Sequence, residues 1–394
     1  MSDNTEVPPP RPVVPLVTIA REWTRLGCIG FGGPPAHIAL LRRLCVEDRG
    51  WIDAEEFEDG IATVNLLPGP ASTQLAIFCA WRLRGAAGAV VGGLCFIVPG
   101  LIMVLVLSAV FLMHHPPVWV LGAAAGGGAG VPAVALHAAS GLVPASWRRA
   151  GDGRRQHLRW VAYAVVGGTA AATIGPFLVL VLAACGTTEM LLRRQRGPNT
   201  SRPARAVVPT LLLHGAAVGG LGAVAWVALK VGALSYGGGF VIVPLMQHDA
   251  VSTYHWMSGA QFLNAVALGQ ISPGPVVQTV AAVGYAAGGV GAGLLAALVA
   301  FAPSFAFVLA GGRHFDRIRA NGAVQAFLTG AGPAVVGAIA GSSIPLGLAL
   351  GHLWQIPVLA GALLWLVVLR RGVVSSLLLC GAVGVVLSLA GVPA

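Results

Sequence analysis

Long apolar runs separated by short polar or basic clusters organise most of this chain. Nine runs are long enough, or nearly so, to cross a bilayer: 89–112, 118–140, 160–175, 176–192, 207–229, 290–311, 322–342, 354–370 and 373–392. A full span takes about 20 residues. The adjacent runs 160–175 and 176–192 are short, and Gly175-Pro176 reads as the turn between them. Four more apolar segments, 16–41, 57–81, 232–246 and 262–286, are broken in the middle by Gly-Gly or Pro-Gly-Pro. Each begins and ends on one side of the membrane, so they read as re-entrant hairpins or discontinuous helices. Broken backbone at that depth must be buried in protein or line a wet cavity. The pattern predicts an all-α polytopic membrane protein with roughly nine full spans plus four broken-helix hairpins.

Sliding the chain by 205 residues aligns Gly27–Gly88 with Gly232–Gly293 without a gap, and 14 of the 62 positions are identical. Rare residues carry the match. Gly32-Gly33 falls on Gly237-Gly238, Trp51 on Trp256, Phe57 on Phe262, and Pro68-Gly69-Pro70 on Pro273-Gly274-Pro275. Arg25 falls on Lys230, the one lysine. An Ala/Gly-rich composition does not produce such matches, so the chain holds an internal duplication. Asp53-x-x-Glu56 and Ser258-x-x-Gln261 are capping-box patterns that start a helix at the same repeat position. The organisation expected is a polar, Pro-rich tail over 1–15, a first repeat over 16–192, a basic loop and connecting span over 193–229, and a second repeat over 230–394.

Composition agrees. Hydrophobic residues make up 56% and charged residues 10%, against roughly a quarter charged in soluble domains. Mean hydropathy is +0.81. The net charge of +10 raises nucleic acid as a partner, but the arginines sit in short runs between apolar stretches, as membrane orientation requires. Nucleic acid is therefore not expected. The positive-inside rule puts Arg42/Arg43, Arg82/Arg84, Arg148–Arg159, Arg193–Arg205, Arg313–Arg319 and Arg370/Arg371 in the cytoplasm, with the N-terminus. The start of the chain shows no cleaved signal peptide pattern. Arg42, Arg43, Arg82 and Arg84 match uncharged or weakly charged Gln247, His248, Ala287 and Gly289. Opposite charge bias at equivalent positions is what oppositely oriented, inverted-topology repeats produce.

Inverted repeats with broken helices are the signature of a secondary transporter whose site lies near the midplane. A half-helix starting after a break offers unpaired N–H groups and a positive dipole end, which suits an oxyanion. Candidate binding residues are Gly32, Gly33, Pro34, Asn65, Pro68, Gly69, Pro70 and Gln74 in the first half. Those in the second half are Gly237, Gly238, Gly239, Gln270, Pro273, Gly274, Pro275 and Gln278. Helix-packing glue is the competing role for the amides. Arg25 and Lys230 read either as cations guarding an anion path or as snorkelling anchors. His37, three residues past Pro34, is a further candidate for the anion or for a proton, since imidazole titrates near neutral pH, with plain packing as the competing role; Asp59 is a candidate proton-coupling acid within the run of acids from Glu47 to Asp59. Six cysteines without C-x-x-C or His clustering suggest no metal or redox cofactor. No nucleophile–base motif argues for an enzyme.

These elements together resemble the chromate ion transporter family in its two-domain long form. The first set is Arg25-Leu26-Gly27, Phe31-Gly32-Gly33-Pro34-x-Ala36-His37, Trp51 and Leu67-Pro68-Gly69-Pro70-x-x-x-Gln74. The second is Lys230-Val231-Gly232, Tyr236-Gly237-Gly238-Gly239-Phe240, Trp256, Pro273-Gly274-Pro275 and Gly284-Tyr285. The resemblance covers nearly the whole chain. It implies export of chromate, with sulfate as a competitor, across a bacterial inner membrane, and chromate resistance. The partners implied are the oxyanion and the lipid bilayer, with a homodimer as an open assembly. An oxyanion channel, or an importer of sulfate-like anions, is the alternative that uses the same breaks.

Overall fold

The computed structural model describes residues 13–65, 67, 69–113, 115–173, 177–194, 220–235, 242–311 and 321–393. All regular structure among them is helical. The first half runs α1 (Leu16–Ile29), α2 (Pro34–Arg42), α3 (Ala54–Val64), α4 (Ala71–Phe111), α5 (Val118–Ala150), α6 (Arg154–Thr173) and α7 (Leu178–Arg194). The second runs α8 (Leu221–Leu234), α9 (Ile242–Gln247), α10 (Gly259–Ile271), α11 (Thr279–Gly311), α12 (Gly322–Leu348), α13 (Gln355–Leu363) and α14 (Val373–Leu389). Four helices, α4, α5, α11 with its preceding turn, and α12, are long and apolar enough to cross a membrane. α8, α13 with its extension to Val368, and α14 are shorter apolar helices. The turn at Gly175-Pro176 lies outside the described residues.

The local reasons are visible in the sequence. In α1 the buried positions Ile19, Glu22, Trp23, Leu26 and Gly27 follow helical spacing and form one face. That face packs on α4, where Trp23 Nε1 donates to the Ala76 carbonyl at 2.8 Å. At its 41 residues, α4 would extend about 60 Å at 1.5 Å per residue, far beyond a bilayer core of about 30 Å. The path bends at Arg84 and Gly85, where Gly85 has φ +59°. Beyond the bend, Val90, Leu94, Val98, Ile102 and Val106 make an exposed apolar row at four-residue spacing, the face a lipid phase covers. α11 bends likewise at Gly288 and Gly289 and exposes Val290, Leu294 and Leu298. Elsewhere small residues bring helix backbones together. A Cβ on Gly337 of α12 would overlap the Ala164 carbonyl of α6, and one on Gly122 of α5 would overlap Gly384 of α14.

The two halves carry matching local devices. π-helical turns occupy Arg43–Asp48 and His248–Thr253, 205 residues apart (43 + 205 = 248). Trp51 N bonds to Cys45 O at 2.7 Å, and Trp256 N to Ala250 O at 2.9 Å, at the same spacing. Gly27 abuts the Phe96 carbonyl and Gly232 the Ala300 carbonyl. These last partners differ by 204, not 205. The gapless alignment therefore fails after Pro-Gly-Pro, where the second half has one residue fewer: Ala71-Ser72-Thr73-Gln74 against Val276-Val277-Gln278. With that shift Gln74 matches Gln278, Gly85 matches Gly289 and Pro99 matches Pro303. A helix tolerates the deletion because the second copy opens with a single 3-10 turn, Val276–Gln278.

Two other expectations are revised. The span read over 207–229 and the hairpin arm read from 232 share one helix, α8. It starts after Gly220 (φ +64°) and continues unbroken through Lys230 to Leu234, since no Gly-Pro or polar break intervenes; the part before 220 lies outside the described residues. The capping box forms at Ser258 and Gln261, but Asp53 makes no side-chain cap bond. There the would-be partner Glu56 is engaged by Arg82 instead.

Candidate functional site

The breaks of the two halves interlock. Gly69 N donates to the Ser235 carbonyl at 2.9 Å, and Gly274 N donates to the Gly30 carbonyl at 2.8 Å. Both donors and both acceptors are separated by 205 (69 + 205 = 274; 30 + 205 = 235). Each Pro-Gly-Pro thus closes on the end of the first helix of the other half. The glycines reach this position in conformations that L-residues rarely adopt, φ +123° at Gly69 and +93° at Gly274. The first Gly-Gly break is built similarly, with Gly32 at +101° and Gly33 at +76°.

His37 braces this crossing. Its Nε2 lies 2.8 Å from the Gly30 carbonyl, and its ring meets Phe96 edge-on at 5.2 Å. A carbonyl only accepts, so Nε2 carries the hydrogen; Nδ1, buried, has no partner among the described residues. The two break glutamines are buried in the scaffold. Gln278 Nε2 donates to the Ile97 carbonyl of α4 at 2.8 Å. Gln74 lies fully buried beside Gly69.

A cavity of about 290 Å³ opens beside the crossing. Its wall combines Gly32, Gly33 and Pro34 from the first half with Gln270, Ser272 and Gly274 from the second. Asn65 completes it, at the end of α3. Asn65 and Gln270 are repeat equivalents (65 + 205 = 270) and face the same space. Gln270 is only 7% exposed, and its Nε2 has no partner among the described residues. A buried amide donor without a partner costs about 1–3 kcal/mol, so this group is poised for a ligand acceptor. Two helix starts border the cavity, at Ala71 and at Val276. In α4 the first bond of the turn joins Gln74 N to Pro70 O at 3.0 Å, so the N–H groups of Ala71, Ser72 and Thr73 precede the helix's own ladder. Neutral amides, backbone N–H groups and two helix dipoles suit a small anion.

The structure separates the other sequence candidates from this wall. Arg25 is two-thirds exposed and 3.4 Å from Glu22, which Arg49 also holds at 3.0 Å. Lys230 is mostly buried, bonds Asp249 at 2.5 Å and lies 6.0 Å from the Trp226 ring. Asp59 is exposed on α3. Pro70, Pro273 and Pro275 frame the breaks, while Pro68, Gly237, Gly238 and Gly239 lie outside the described residues. Two residues were missed. His137 lines the central cavity from α5. Arg149 lines a second chamber of about 160 Å³ that shares Asn65, Ala71 and Leu142 with the first. The sequence placed Arg149 in a basic loop because the apolar run fades at 140, yet α5 extends to Ala150.

Comparison with known proteins points to one family. The family model described as "Chromate transporter" matches residues 17–188 and 222–386. A "Chromate transport protein" of Cupriavidus metallidurans is 31% identical over 343 residues, covering 85% of this chain and 83% of that protein. One of the same description from Pseudomonas aeruginosa is 30% identical over 360 residues, 86% and 82% of the two chains. A "Probable chromate transport protein" of Synechococcus elongatus is 28% identical over 363 residues, 88% of each. No solved structure matches the chain.

Proposed function

The chain belongs to the chromate transporter family, and from that premise we propose that it exports chromate through the cavity between the crossed breaks, with sulfate as a competing ion. Family membership places it among multi-pass membrane transporters rather than enzymes. The observation that carries the proposal is the convergence of Asn65 and Gln270, equivalent amides from both halves, on one space walled by helix starts. We take the halves as inverted repeats, 16–192 and 230–394, joined through 193–229. The reciprocal bonds Gly69–Ser235 and Gly274–Gly30 support a two-fold relation.

Binding rests on neutral donors. A tetrahedral dianion accepts bonds from the Gln270 amide and from N–H groups at the two helix starts, without a permanent neutralising charge that would hold it there. Arg25 and Lys230 hold acids rather than the ion. The driving force follows from charge. Moving a dianion outward across an inside-negative membrane gains about 4–5 kcal/mol per 100 mV, at about 2.3 per charge. Potential alone suffices, and the exposed Asp59 need not carry a proton.

Inverted membrane vesicles test this, because uptake into them is export. Imposing an interior-positive potential is expected to drive chromate uptake at zero ΔpH, and sulfate is expected to compete. Chromate flux that follows ΔpH and ignores potential contradicts the uniport mechanism. Absence of chromate flux beside robust sulfate movement contradicts the substrate.

A further inference from the structure

Three cavities lie in order along α5. An apolar one of about 220 Å³ lies against Trp119, Ala123 and Gly127. The central cavity touches His137 to Leu142. The chamber at Arg149 touches Leu142 to Arg149. From Trp119 to Arg149 is about 45 Å at 1.5 Å per residue, so the outer two approach opposite faces of a bilayer. They are not equivalent. Every residue from Gly126 to Ala135 is buried, and between Gly127 and His137 no α5 residue lines either cavity. On the other side the wall residues Asn65, Ala71 and Leu142 are common to both chambers, so the spaces adjoin. The unpartnered Gln270 amide, 7% exposed, marks the end of that path.

Resting on the transport reading above, we propose that the 160 Å³ chamber is a loading vestibule in which Arg149 captures the oxyanion before it passes Asn65 to the central cavity, and that this one-sided cation makes capture efficient from the cytoplasmic face alone. A guanidinium keeps its charge at every working pH, and in the vestibule it is this charge, rather than the geometry of the N–H fork, that attracts the oxyanion. A charge at the mouth of a narrow cleft raises the local anion concentration and the capture rate by 10–10³-fold, in a salt-dependent way. Past the vestibule no arginine or lysine among the described residues lines the central cavity, whose one basic side chain there is His137, so no fixed cation holds the ion there. At the apolar end the walls include Phe111, Trp119, Leu378 and Val385, with Asn264, and no charged residue among the described residues. Recapture from that side has no comparable attractor.

The alternative is that Arg149 anchors the end of α5 at the membrane surface, as basic residues there do. Initial rates of chromate transport separate the two, measured from each face with inverted and right-side-out vesicles. For Arg149→Gln, KM from the cytoplasmic face is expected to rise about tenfold at low ionic strength, the low end of the steering range. Vmax stays within about twofold, and the difference shrinks in high salt. Arg149→Lys is expected to restore most of the loss, and KM from the opposite face is expected to stay unchanged in both variants. A KM unaltered from either face, a KM altered equally from both, or a fall in Vmax alone overturns the inference while leaving the transport reading intact. Wild-type vesicles without chromate flux overturn that reading, and this inference with it.

Discussion

Gly69→Ala and Gly274→Ala are each expected to cut chromate flux at least tenfold while the protein still reaches the membrane. At both positions an L-residue must adopt positive φ, at roughly 1–2 kcal/mol, where 1.4 kcal/mol is a factor of ten. At Gly69 the added Cβ also overlaps the Gln74 amide and comes 3.2 Å from Ser304 Oγ. At Gly274 it comes 3.1 Å from Gln278 Nε2. The backbone relieves this only by turning, which moves the N–H away from Ser235 or Gly30 and opens the crossing beside the cavity. Gly50→Ala is the control, since it too has positive φ (+57°) but nothing lies within 4 Å of the new Cβ. Its flux is expected to stay near wild type. Full flux in Gly274→Ala would show that the crossed bonds are not needed for transport.

The second large effect is on stability. Lys230→Met removes the partner of Asp249, whose side chain is 12% exposed. Breaking a buried pair from one side costs about 3–5 kcal/mol, because a buried charge is left uncompensated. The single variant is expected to lose most of its folded, detergent-extractable protein. Lys230→Met combined with Asp249→Leu is expected to recover it, because replacing both partners of a buried pair with apolar residues is often neutral. Thermal unfolding of purified protein reads the cycle. A Lys230→Met protein that is normally stable but transports poorly would instead return Lys230 to the anion path.

The contrast between these residues shows what the sequence made legible. The breaks were readable because Pro-Gly-Pro and Gly-Gly interrupt apolar runs, and the matching Trp51/Trp256 and Phe57/Phe262 fixed the register around them. Asn65 and Gln270 followed from that register. The one-residue shift after Pro-Gly-Pro was not readable, since the stretch that follows is rich in Ala, Gly and Val, where many registers score alike. Gly85/Gly289 and Pro99/Pro303 settle it only once the bends are seen. Ion partners were hidden for a different reason. Asp249 lies 19 residues beyond Lys230, in the π turn after α9, and Arg49 reaches Glu22 of α1 from 27 residues on, just past the first π turn. Helical spacing within one element does not reveal such pairs. Arg149 was hidden by a helix that outlasts its apolar run.

The central claim is that the oxyanion binds against Asn65 and Gln270 between the crossed breaks. Asn65→Asp tests it with a change of almost no volume. Asn65 is exposed to the cavity, so the new carboxylate ionises and faces the dianion. At 4 Å and an effective dielectric of about 20, the repulsion is about 4 kcal/mol per unit charge. The measurement is the KM for chromate uptake into inverted vesicles at a fixed potential, with Asn65→Gln alongside. The account predicts a KM raised at least tenfold in Asn65→Asp, by that repulsion, and close to wild type in Asn65→Gln. An Asn65→Asp protein with unchanged KM and Vmax would place the oxyanion path elsewhere.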